Sequence, residues 1–87
     1  MHVVWDPAKA RANLATHGVS FPEAATVLED ELALTREDTD SEGERRFVTL
    51  GMSGFRHLVV VVYSYRDEDS IRIISAWKAN RNQEITL

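Results

Sequence analysis

Arg46, Arg72 and Lys78 are cations set inside runs of alternating apolar residues, and His17 closes a short helical pattern. Guanidinium and ammonium groups hold oxyanions through charge-assisted hydrogen bonds. An imidazole, with an ordinary pKa of about 6.5, both accepts and gives protons near neutral pH. Anion binding coupled to proton transfer is therefore the chemistry open to this set. The chain has no Cys, which excludes thiolate nucleophiles, disulfide frameworks and cysteine metal sites. His2, His17 and His57 do not stand at metal-ligand spacing, so no metal or other cofactor is assigned.

The period of two places Arg72, Ile74, Ala76 and Lys78 on one side of a strand, with Ile71, Ile73, Ser75 and Trp77 on the other. Arg72 and Lys78 are thus expected to face one groove, joined by Arg46 from a neighbouring strand. The alternative is that they line a solvated sheet face. His17 has its own alternative, a cation complementing the negative end of a helix dipole. Lys9, Asn13 and His17 recur at i, i+4 and i+8, a stripe that meets either a ligand or water.

A single domain, residues 1–87, must position these side chains, because 87 residues with 44% hydrophobic and 28% charged content supply one core. His2 to Trp5 reads as a first strand. Asp6-Pro7 opens a helix to about Thr16, with Ala8, Ala12 and Ala15 as its small apolar face and Gly18 as its stop. Ser20 and Glu23 form a capping box for a second helix, in which Phe21, Ala24, Ala25 and Leu28 make the apolar stripe.

Leu32 to Thr35 predicts a short strand, followed by an acidic loop from Glu37 to Glu44. Strands over 45–52, 57–65 and 70–78 complete the pattern, with a short helix at the C-terminus. The fold class is α+β: two N-terminal helices packed on a mostly antiparallel sheet of four to five strands, in the order β-α-α-β-β-β-β.

A net charge of −4 speaks against a nucleic-acid ligand at first sight. Residues 29–44, however, hold eight carboxylates against the single cation Arg36, so the remainder of the chain is net positive. Basic groups are left to cluster elsewhere, unless the acidic segment serves only solubility. The chain opens without a basic region and apolar core, and no apolar run approaches the ~20 residues of a membrane span, so a cytoplasmic protein is expected.

Three segments in order, WDPAKARANLATHGVSFPEAATVLEDELAL, ERRFVTLGMS and LVVVVYSYRDEDSIRIISAWKA, resemble the BrnT family of type II toxins across most of the chain. The resemblance implies a RelE-like fold and an endoribonuclease that cleaves RNA without a metal and inhibits translation. It also implies neutralisation by a BrnA-type antitoxin in a 2:2 complex, with operator DNA reached only through the antitoxin and no membrane partner. For such cleavage, Arg72, Lys78 and Arg46 would clamp the scissile phosphate and His17 would act as general base or acid.

Lys9, Asn13, Arg45, Trp77 and Arg81 would contact RNA. Trp77 would do so by stacking on a base, unless its ring covers a helix instead. The sequence departs from the family where Trp77 replaces an Arg common in members reading ISARKA. It departs again where Asn80 to Leu87 stands in place of a basic helix that often carries Tyr. These departures imply an alternative: a catalytically attenuated RelE-like binding module acting only through antitoxin binding and operon autoregulation.

Overall fold

The structure is a computed structural model that describes residues 1–39 and 43–79. The expected C-terminal helix and Arg81 lie outside the described residues.

Asp6 starts helix α1 (Pro7–His17) by accepting from the Ala8 N–H at 2.9 Å, and Pro7 sits where a missing N–H costs nothing. Gly18 ends the helix with φ at 72°, a left-handed conformation that favours glycine. Ser20 caps helix α2 (Phe21–Val27), its hydroxyl accepting from the Glu23 N–H at 3.1 Å. Only half of the expected capping box forms, since the Glu23 carboxylate is turned to other partners.

The strands are β1 (His2–Val4), β2 (Leu34–Asp38), β3 (Arg46–Met52), β4 (Leu58–Asp67) and β5 (Ser70–Lys78), lying side by side as β1-β5-β4-β3-β2. The pairing is antiparallel except between β1 and β5. This is the expected α+β arrangement and element order. The acidic segment differs from expectation: β2 runs to Asp38, so Glu37 and Asp38 pair with Phe47 and Arg46 rather than lying in a loop. An edge strand needs only one paired side, and its charged side chains discourage pairing with another chain.

Both helices cover one sheet face. Val19, Phe21, Ala24 and Val27 meet Val59, Val61, Tyr63, Ile71, Ile73 and Ala76 there. The opposite face carries Val48, Leu50 and Val60, with Leu58, Val62 and Trp77 against them. Each buried aliphatic side chain contributes roughly 1.5–3 kcal/mol, so the five apolar residues beginning β4 hold both faces. Gly51 permits a close approach on the helix face, where a Cβ would come within 2.9 Å of Ala33 Cβ.

The face expected for β5 is corrected by a bulge. Tyr63 pairs with Ile73 and Val62 with Ser75, which leaves Ile74 as an extra residue. An extra residue shifts the alternation by one, so Ile71, Ile73 and Ala76 all enter the core beneath the helices. Arg72 and Lys78 consequently fall on opposite faces, separated along the strand by roughly 20 Å. They do not share one groove.

Candidate functional site

The site grows from an incomplete sheet edge. β1 pairs with β5 through Ser70, Ile71 and Arg72, so among the described residues the later half of β5 has no neighbouring strand on that side. The Asn13 side chain from α1 fills the role of one. Its amide oxygen accepts from the Ala76 N–H at 3.1 Å, and its nitrogen donates to Ala76 O at 2.8 Å and Val19 O at 3.0 Å. The oxygen also accepts from the Ser75 hydroxyl at 3.1 Å.

Buried backbone groups left without partners are costly, and Asn13 satisfies those of Ala76. The residue is buried and its amide is fully engaged within the chain. This corrects the expectation that it presents itself to RNA with Lys9 and His17. It also corrects the packing of α1, which turns Ala10 and Asn13 inward while Ala8, Ala12 and Ala15 remain exposed.

Because Asn13 holds α1 against the edge at one level, open grooves flank it. A hollow of about 250 Å³ is lined by Lys9, Asn13, Thr16, His17 and Ile74. A larger one of about 570 Å³ is lined by Thr16, His17, Trp77 and Lys78, with the His17 and Trp77 rings 6.1 Å apart. Lys78 is exposed and also borders a third hollow, of about 350 Å³, with Arg56 and His57. Lys9, His17, Trp77 and Lys78 are thus brought to one side of the molecule, an arrangement able to bind an anion, stack a planar ring and move a proton.

Sequence reasoning missed the group beside it. Glu23 Oε2 accepts from the Ser53 hydroxyl and from His57 Nδ1, each at 2.8 Å. Burial presses the Glu23 carboxyl upward, but hydrogen bonds from Ser53 and His57 and the charges of His57 and Lys78 outweigh it, holding the group below its ordinary value. Its position in a capping-box pattern concealed this role. The carboxylates of such a box and of a buried network look alike in sequence.

Arg45, Arg46 and Arg72 gather at the other end of β5. Arg72 stands opposite Ser64, and Asp38 opposite Arg46. Extending the β3–β4 register by one residue past Phe47 and Tyr63 sets Arg46 beside Ser64. Glu44 lies over this row, accepting from Arg72 Nη2 at 2.6 and 2.7 Å. Hydrogen bonding from Arg72 holds the Glu44 carboxyl below its usual range, and Arg46 adds its charge. Arg45 is paired with Glu37, at 2.7 and 3.2 Å, and its guanidinium lies 5.4 Å from the centre of the Phe47 ring. Among the described residues, no three His, Asp or Glu are grouped to hold a metal ion.

Residues 5–83 match the family described as the ribonuclease toxin, BrnT, of type II toxin–antitoxin systems. The chain belongs to the BrnT family. As a member of a type II toxin family, it has an antitoxin as its counterpart. The fold is similar to that of the Brucella abortus ribonuclease toxin BrnT in a 1.1 Å crystal structure. The TM-score is 0.69 at 19% sequence identity, over 93% of this chain and 99% of that one. No curated protein is significantly similar in sequence.

Within this BrnT-family chain the four cations and imidazoles first singled out divide between two places. His17 and Lys78 share the groove beside Trp77, whereas Arg46 and Arg72 lie under Glu44. No helix among the described residues is long and apolar enough to cross a membrane.

Proposed function

We propose that this chain is a cytoplasmic endoribonuclease that cleaves RNA without a metal, thereby inhibiting translation, in the groove lined by His17, Trp77 and Lys78. One observation carries the reading: an imidazole, an ammonium and an indole border a single open hollow of about 570 Å³. That volume falls within the range of small-molecule sites. Lys78 offsets charge on the phosphate as the attacking oxygen adds, His17 transfers a proton, and Trp77 offers its ring to a base. Lys9 lies further along the groove to contact the RNA backbone, and the Arg46–Arg72 row, with Arg45 nearby, extends the binding surface. Neutralisation by a BrnA-type antitoxin in a 2:2 assembly completes the proposal, with operator DNA contacted by the antitoxin alone.

The test joins chemistry to growth. Purified chain is incubated with RNA in the presence of a chelator, and the same chain is induced in bacteria with and without the neighbouring antitoxin. Cleavage in chelator, together with arrest relieved by the antitoxin, is expected. A folded chain that leaves RNA intact and cells growing would overturn the reading.

The Glu44–Arg72 pair favours a second reading, an attenuated module whose phosphate-binding arginine is already occupied by a carboxylate of its own chain. Antitoxin binding without RNA cleavage in the wild-type chain, with cleavage appearing in Glu44→Gln, would establish it.

A further inference from the structure

Glu23 is a carboxylate with only 9% of its side chain exposed, aimed at the turn between β3 and β4. An ionised carboxylate only accepts hydrogen bonds, so His57 Nδ1 carries the proton it shares with Glu23. The imidazole is 44% exposed, and its hollow is bordered by Lys78 and Arg56.

Fastening the turn does not require this imidazole. The Ser53 hydroxyl already donates to Glu23 and accepts from the N–H groups of Phe55 and His57, both at 3.2 Å. The Ser53 N–H donates to His57 O at 2.8 Å as well. A ring fixed at one nitrogen by a buried carboxylate, and bordering an opening shared with Arg56 and Lys78, is the arrangement that prepares a histidine to take a proton.

We propose that His57 is the general base of RNA cleavage at Lys78, oriented by Glu23, with His17, which borders the other hollow at Lys78, as the acid. This rests on the ribonuclease reading above and supplies the base that it lacks. Neutral His57 Nε2 removes the proton of a ribose 2′-hydroxyl, and the 2′-oxygen forms a bond to phosphorus. The bond from phosphorus to the 5′-oxygen breaks, and the His17 imidazolium protonates that oxygen. The products are a 2′,3′-cyclic phosphate and a 5′-hydroxyl, and each imidazole resets by exchanging one proton with water. Lys78 offsets the phosphoryl charge throughout. Glu23 is a positioning residue, stabilising the imidazolium that forms on His57 without taking its proton.

The charged groups around His57 among the described residues are Glu23 from α2, Arg56 from the turn and Lys78 from β5.

The test measures cleavage of a defined oligoribonucleotide by the full chain across about pH 5–9, for wild type, His57→Gln, His57→Ala and Glu23→Gln. His57→Gln keeps a donor for Glu23. It is expected to lower kcat about 100-fold or more and to abolish the acidic limb of the profile, with antitoxin affinity unchanged. Added imidazole is expected to restore part of the rate to His57→Ala, which a residue with only a structural role would not show. Glu23→Gln is expected to retain the acidic limb at a rate reduced about tenfold. A His57→Gln rate within about threefold of wild type, with the acidic limb intact, overturns the assignment of the base alone. A wild-type chain that leaves the oligonucleotide uncut overturns the ribonuclease reading, and this assignment with it.

Discussion

At the Ser70 end of β5, Arg72 is held by Glu44 of the same chain and stands opposite Ser64 on β4. At the Lys78 end, the cation is exposed and borders two hollows, each bringing an imidazole. The two ends are similar in charge type and differ in what surrounds it. Cations paired across an exposed sheet face serve binding, because water and salt screen them and no group beside them titrates near neutral pH. On the proposed reading, a cation flanked by imidazoles in a groove serves chemistry, with charge stabilisation and proton transfer acting on the same atoms.

The largest effect that would break this contrast concerns Lys78. Lys78→Ala is expected to lower kcat for RNA cleavage roughly 100- to 1000-fold, the range for removing one charge-stabilising donor, while circular dichroism and thermal unfolding stay near wild type because the side chain is exposed. Equal activity would place the chemistry elsewhere.

Asn13 comes next, since its side chain completes the sheet edge from which the groove starts. Asn13→Leu strands the buried N–H and C=O of Ala76 and is expected to lower unfolding free energy by about 3 kcal/mol, read from the urea midpoint. Cleavage should fall with it, while salt-dependent RNA binding at the Arg72 end changes less.

Replacing Arg46 and Arg72 together with Ala is expected to raise KM roughly tenfold with kcat retained, and to flatten the salt dependence of RNA binding. A loss in kcat equal to that of Lys78→Ala would erase the distinction between the ends. Glu44→Gln, which frees Arg72, is expected to tighten RNA binding about two- to fivefold, as befits an exposed ion pair. Fluorescence anisotropy at low salt would read it.

The smallest effect is on acid stability. Folding holds the Glu23 carboxyl below its ordinary value of 4.5, so its contribution is present above that pH and is lost as pH falls through the folded value. Urea titrations at a series of acidic pH values should show a shallower loss of stability for Glu23→Gln than for wild type. Equal slopes would mean that the Ser53 and His57 bonds to Glu23 add nothing to the fold.

Much of the fold was legible because local signals agreed with one another. Asp6-Pro7, Gly18 and Ser20 act as the stops and caps their types suggest, and the LVVVV run of β4 is covered on both faces as its continuous apolarity implies. The edge strand β2 was read two residues early, since a strand paired on one side and wet elsewhere carries little periodicity.

The site was less legible. His17, Trp77 and Lys78 were picked out by type, and the structure brings them to one groove; Arg46 and Arg72 were also picked out, and lie together elsewhere. Asn13 looked like part of a helix stripe, because no local pattern distinguishes an amide facing water from one that completes a sheet edge. His57 carried no signal at all, as its partner Glu23 is 34 residues away.

By itself the sequence determined the identity and order of the elements, the family, and the kinds of side chain available for chemistry. These follow from capping, hydrophobic periodicity and ordered motifs, which act over a few residues at a time. Only the tertiary structure decided which of those side chains meet. One extra residue at Ile74 reverses the faces of everything after it in β5, and the Glu23–His57 contact joins two elements that no local rule connects. Both depend on long-range register and packing, and the energy that fixes them comes from the whole sheet rather than from the residues concerned.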